Sequence, residues 1–187
     1  MEQFNYLAVL ISIILGLGIT HLLAGLGRLL QGRRHIRLYL PALGWVGILL
    51  LLHVQTWWAM FGLRTLKTWS FAEFFLVLLQ PIVLYLLAAL ALPEAQSGTA
   101  TDLRAHYFSH SRWFFSLAVA LLAVSLTRDR VVSGHFPGAF NVATHGMLGV
   151  MWGIGAFTDR EPYHRWLALW TAVLMGGYIA VLFSQLH

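Results

Sequence analysis

Residues Phe4 to Gly27 read FNYLAVLISIILGLGITHLLAGLG, a stretch with no Asp, Glu, Lys or Arg. At 1.5 Å rise per residue, a helix of this length exceeds the roughly 20 residues needed to cross about 30 Å of hydrocarbon. In that medium every backbone N–H and C=O must be satisfied within the segment, and for a single span only a helix does this. No basic region precedes the apolar run and its first arginine is Arg28, so it reads as a retained span, not a cleavable leader. An all-α polytopic membrane bundle is the fold class that follows.

Five further stretches meet or approach the same length criterion: Leu38–Leu63, Phe71–Leu92, Trp113–Thr127, Ala139–Phe157 and Trp166–Leu186. The expectation is six transmembrane helices in a single domain over residues 1–187. The fourth stretch is short, and the amphipathic run from Asp102 is expected to prolong it backwards as an interfacial helix leading into the span, giving one long or bent helix, with Leu103, Tyr107 and Phe108 dipping into the membrane. Composition agrees: 59% of the 187 residues are hydrophobic, 10% are charged and mean hydropathy is +0.73. An ordinary soluble domain carries about 25% charged residues, so a soluble globular enzyme and a disordered tail are both excluded. With no cysteine, the chain can hold no disulfide, thiolate zinc site, iron–sulfur cluster or c-type haem attachment.

Net charge is +5, with the basic residues scattered over short connections and no aromatic-interleaved basic stripe. No nucleic-acid partner is expected. The connections after the first, third and fifth spans hold Arg28, Arg33, Arg34, Arg37, Arg104, Arg112, Arg160 and Arg165, against Arg64, Lys67, Arg128 and Arg130 on the other side. The positive-inside rule then places both termini outside. Trp57, Trp58 and Trp69 form one aromatic belt; Tyr107, Trp113, Trp166 and Trp170 form the other. Ser70 with Glu73, and Thr158 with Glu161, fit the Ser/Thr-x-x-Glu capping box.

Ionisable groups inside spans are costly and are the first candidates for function. His53 and His145 lie about 15 Å and about 9 Å from the outer face, whereas His21 sits nearer the opposite side. On the fifth span Asn141, Thr144 and His145 share a face, continued by Leu148 and Trp152. Gln80 precedes the helix-breaking Pro81 at a depth close to that of His53, with Glu73 and His135 nearby in depth. One reading is an outward-opening polar site of His53, His145, Asn141, Gln80 and Thr144 for a proton, a small polar ligand or a metal. Two histidines at one depth could also clamp a haem. The other reading is interhelical hydrogen bonding alone.

Asp102, His106 and His110 recur at four-residue spacing, which lets His106 and His110 share a metal or simply form the polar side of a helix. Arg28, Arg33, Arg34 and Arg37 could meet anionic lipid headgroups or act only as a topology signal. Gly16, Thr20 and Ala24, also four apart, are expected to form a close-packing seam within the bundle or between copies. No nucleophile elbow, P-loop, dinucleotide fingerprint or His-Glu-x-x-His motif occurs.

The stretch Ser12-Ile13-Ile14-Leu15-Gly16-Leu17-Gly18, with His106-Tyr107-Phe108 and Arg112-Trp113-Phe114-Phe115, resembles a group of small six-span bacterial inner-membrane proteins. The resemblance implies an inner-membrane location and carries no functional residue. The expected function is non-enzymatic: an accessory or assembly subunit, meeting lipids and other membrane chains or copies of itself. Alternatives are a small-solute, ion or proton carrier or pore, and a redox protein holding haem or a metal ion.

Overall fold

A computed structural model of the chain describes residues 2–32, 36–65, 69–94, 101–134 and 137–183. Among these, six long helices carry the fold: α1 (Glu2–Gln31), α2 (Leu40–Ala59), α3 (Phe71–Ala91), α4 (Leu103–Ser133), α5 (Ala139–Phe157) and α6 (Glu161–Phe183). A 3₁₀ segment, Met60–Thr65, continues α2. The described residues form an all-helical fold with one small departure. Two-residue strands β1 (Ile36–Arg37) and β2 (Thr101–Asp102) pair in parallel, which ties the α1–α2 connection to the start of α4. Three helical stretches are long and apolar enough to cross a membrane: Phe4–Gln31, Leu40–Arg64 and Phe71–Ala91.

Helix ends follow local chemistry. Ser70 caps α3 in a complete capping box, its Oγ accepting from Glu73 N at 3.2 Å while Glu73 Oε2 accepts from Ser70 N at 2.7 Å. The second expected box does not form, because the Glu161 carboxylate is drawn instead to Arg104 and Arg165. Asp102 caps α4, accepting from Arg104 N at 2.9 Å and Ala105 N at 3.1 Å. No proline or glycine interrupts α4 until Gly134, whose φ of 75° ends the helix in a left-handed turn. The amphipathic run and the fourth apolar stretch thus form one long helix, as expected. Leu103 and Tyr107 are buried against protein, Tyr107 edge-on to Tyr39 at 5.2 Å, and do not face lipid.

Packing gives the architecture. Helix α3 lies on α4, α4 on α5, α5 on α6, α6 on α2 and α2 on α3, so five helices close into a ring. Helix α1 stands outside, against α2 and α3. Its buried face is the stripe Leu7, Ile11, Leu15, Gly18, Leu22, Gly25 and Leu29, and the glycines on that stripe are the points of closest approach. A Cβ on Gly18 would lie 2.2 Å from His53 Nε2, and one on Gly25 would lie 2.7 Å from Leu92 Cδ1. Gly16, Thr20 and Ala24 fall on the opposite, exposed face, with open space around Gly16. The seam within this chain is thus Gly18–Gly25, because the leucine–isoleucine stripe sets which side of α1 is buried.

Toward the Asp102 end, the ring is filled by aromatic side chains. Trp45 meets Phe114, Phe115 and Trp152 edge-on at centroid separations of 5.2, 5.3 and 5.8 Å. Such T-shaped pairs add to the large apolar area these rings bury.

Candidate functional site

Above this aromatic plug, toward the Ser70 end, lies a cavity of about 230 Å³. All five ring helices line it, and no described residue of α1 does. Its floor is Leu84, Leu121, Leu148 and Trp152; its polar wall is Thr56, Gln80, Ser125, Arg128, Asp129, Asn141, Thr144, His145 and Tyr178. Arg128 and Asp129 keep 17% and 27% of their side-chain surface exposed, which marks the mouth.

A continuous run of hydrogen bonds crosses three helices at this level. Gln80 Nε2 donates to Thr56 Oγ1 at 3.4 Å, and Gln80 Oε1 accepts from an Arg128 terminal nitrogen at 2.5 Å. The Arg128 Nε and its other terminal nitrogen both donate to Asp129 Oδ1, at 3.0 and 2.6 Å. The guanidinium is therefore held between a neutral amide and a carboxylate, a charge-assisted arrangement stronger than its neutral equivalent. Across the cavity, His145 Nδ1 lies 2.9 Å from the Asn141 carbonyl oxygen. A carbonyl only accepts, so Nδ1 carries a proton, and Nε2 lies 3.3 Å from Ser125 Oγ. Thr144 donates to the Phe140 carbonyl at 2.9 Å, and the buried Asn141 Oδ1 has no protein partner among the described residues.

Four of the five residues singled out from the sequence, Gln80, Asn141, Thr144 and His145, meet in this cavity. His53 does not line it. Its Nδ1 donates to the Leu49 carbonyl at 2.7 Å and its Nε2 points out of the ring, onto Gly18 of α1. His53 and His145 thus face different helices, α1 and α4, and share no space for a haem or an ion. The structure brings His106 and His110 together. Their rings lie 4.3 Å apart at an interplanar angle of 31°, with His106 Nε2 3.1 Å from the Leu90 carbonyl and His110 Nδ1 3.0 Å from the His106 carbonyl. Both of these nitrogens donate, which leaves His106 Nδ1 and His110 Nε2 as the lone-pair atoms of the pair. No group of three metal-ligating side chains occurs among the described residues.

The remaining candidates have local roles. His21 stands edge-on to Tyr85 at 6.5 Å, Arg37 lies 3.8 Å from Asp102, and Arg28 is half-buried in the last turn of α1. Arg33, Arg34 and His135 lie outside the described residues.

The sequence reading missed Arg128 and Asp129 because it ended the fourth span at Thr127 and assigned Arg128 to a connection. A signal was present: no helix breaker separates Arg112 from Gly134, and Leu121, Ser125 and Arg128 follow one another at helical spacing on one face. It also missed His164, in the first turn of α6. This fully buried imidazole has its Nε2 2.7 Å from the Thr158 carbonyl and its Nδ1 2.9 Å from the Tyr107 hydroxyl. Nε2 therefore carries the proton and Nδ1 accepts from Tyr107.

Burial holds His164 below the ordinary histidine range and pushes the Tyr107 hydroxyl up. His106 is lowered for the same reason. A histidine whose folded pKa is depressed binds a proton more readily when unfolded, so its contribution is intact above about pH 6.5 and is lost as pH falls below it. The thermal midpoint of the purified chain is expected to drop between about pH 7 and pH 5. His164→Gln should flatten part of that slope. A slope unchanged by the substitution would remove His164 as its source.

Comparison with protein-family models, with curated proteins and with solved structures returns no match for this chain.

Proposed function

We propose that the chain is a six-span integral membrane protein that binds a small polar solute on the axis of its five-helix ring and serves as a carrier for it. The observation that carries this reading is the 230 Å³ cavity, walled by polar groups from all five ring helices and floored by apolar ones. An engineered apolar cavity of about 150 Å³ accepts benzene, so a solute of slightly larger size fits here. A few polar groups converging on an enclosed apolar pocket is the usual form of a small-ligand site.

Support for six spans comes from the three later helices. Trp113–Thr127 of α4, the whole of α5, and α6 from Trp166 onward carry no Asp, Glu, Lys or Arg. Val150, Ile154, Phe157, Leu169 and Val173 are exposed, as a lipid-facing surface requires and a water-facing one avoids. With both termini outside the bacterial inner membrane, as the arginine distribution favours, the cavity opens outward and the aromatic plug closes it from the cytoplasm. The plug argues against an open pore; passage requires Trp45 and Trp152 to separate.

The test is uptake into proteoliposomes of a panel of amino acids, polyols and small carboxylates, with proton flux followed by a pH-sensitive dye. Saturable uptake of at least one solute, lost in His145→Ala, is the expected result. Rates equal to those of empty vesicles across the panel, with no solute raising the thermal midpoint, would overturn the carrier reading.

A second reading, an accessory or assembly subunit, is favoured by the outward face of α1. Ser12, Gly16, Thr20 and Ala24 are all exposed there, and small residues at this spacing let another membrane helix approach closely. Purification in mild detergent distinguishes it: a stoichiometric second chain supports the subunit, and a lone monomer opposes it.

A further inference from the structure

At the Asp102 end of the bundle, α2 and α6 leave a groove of about 620 Å³ between them. Its floor is small, with Gly44, Ala168 and Ala172; its sides are Leu38, Leu40 and Leu169. The groove is narrow because Gly44 lets α6 come close: a Cβ there would lie 3.6 Å from the Ala168 Cβ. From residue 38 to 44, and from 165 to 172, the walls run about 10 Å along the helix axes. A second depression of about 560 Å³, lined by Glu161, Pro162, Arg165, Trp166 and Leu169, adjoins it and shares Arg165 and Leu169.

The charges at the mouth do not cancel. Glu161 is the shared partner of two guanidinium groups, Arg165 at 2.6 Å and Arg104 at 3.0 Å. One carboxylate against two cations leaves one positive charge, and the Arg165 side chain is 67% exposed. Trp166, also exposed, stands beside it at the level where an amphipathic ring settles in a membrane interface.

We propose that this groove is a binding site for one anionic phospholipid, with the headgroup phosphate on Arg165 and the upper part of one acyl chain lying along Gly44, Ala168 and Ala172. The inference rests on the membrane-spanning reading of α2 and α6 and is independent of what the central cavity carries. The apolar groove in a spanning bundle is filled by hydrocarbon, and the surplus cation at its mouth selects the headgroup. A basic pocket between helices is a recognised form of headgroup site.

The experiment uses the full chain, solubilised from vesicles of equal parts phosphatidylglycerol and phosphatidylcholine and examined by native mass spectrometry. One phosphatidylglycerol per chain is expected to survive detergent washing that strips phosphatidylcholine. Arg165→Gln should lower that retention about fivefold, the effect of roughly 1 kcal/mol per cation near an anionic surface. Ala172→Leu, which fills the floor and leaves the charges alone, should lower it too. Arg160→Gln, at the same end but outside the groove lining, should not.

Equal retention of the two lipids, or no change in Arg165→Gln, would overturn the proposal. Displacement of the lipid by millimolar inorganic phosphate would do so as well, because the acyl chain would then contribute nothing. Carbonate washing of the source membranes keeps the two readings apart. Release of the chain by carbonate would defeat the membrane reading, whereas a retained chain without lipid preference would defeat only the groove.

Discussion

Gly18→Ala is expected to lower the stability of the folded chain by about 2–3 kcal/mol, the upper part of the range for overpacking a filled interior. Gly16→Ala, two residues away on the same helix, should be neutral or stabilise by up to about 1 kcal/mol through helix propensity. The difference lies in what a methyl group meets. At Gly18 it would stand 2.2 Å from His53 Nε2 and 2.9 Å from Cδ2; at Gly16 nothing lies within 4 Å. The imidazole cannot easily retreat, being fully buried and tethered through Nδ1 to the Leu49 carbonyl at 2.7 Å.

Thermal midpoints of the two variants in the same detergent give the comparison. Adding His53→Ala to Gly18→Ala should recover part of the loss, with a coupling of about 1–2 kcal/mol. Equal shifts at the two glycines, or strictly additive losses in the double variant, would refute the packing role assigned to His53.

This pair also shows what could be read from the sequence. The regular spacing of Gly16, Thr20 and Ala24 suggested a seam, but which face of α1 is buried depends on the leucine–isoleucine stripe and on the partner helix. Gly18 and Gly25 carry no such regular signal. Depth along a span was legible, since 1.5 Å per residue suffices to place His53 and His145 in one half of the bundle. Azimuth was not: His53 and Thr56 lie on adjoining faces of α2, yet Thr56 lines the cavity and His53 faces α1. That outcome depends on five helices closing a ring without α1, which neither periodicity nor composition encodes. On α5 the azimuth was recoverable, because Asn141, Thr144 and His145 cluster on the side that Leu148 and Trp152 continue into the core. Arg128 was missed for a different reason: charge alone was taken to end the helix, although α4 runs on to Ser133 and carries Arg128 to the cavity wall.

Arg128→Leu is expected to destabilise the chain by about 1–3 kcal/mol, because it takes the charged donor from the buried Gln80 Oε1 and breaks a charge-assisted contact to Asp129 Oδ1. Adding Asp129→Asn offsets the change in charge and should restore part of the stability. It should not restore uptake in proteoliposomes, because the wall of the cavity would still lack its guanidinium.

That separation decides between the two meanings of a polar run inside a bundle. Interhelical hydrogen bonds that serve only as packing contribute about 0.6 kcal/mol on average, and their effect ends once stability is recovered. A binding group leaves a deficit that stability does not repair. If the doubly neutral variant folds as well as the wild type and takes up solute equally fast, the Thr56–Gln80–Arg128–Asp129 run is a device for joining α2, α3 and α4. If it folds and fails to take up solute, Arg128 belongs to the site.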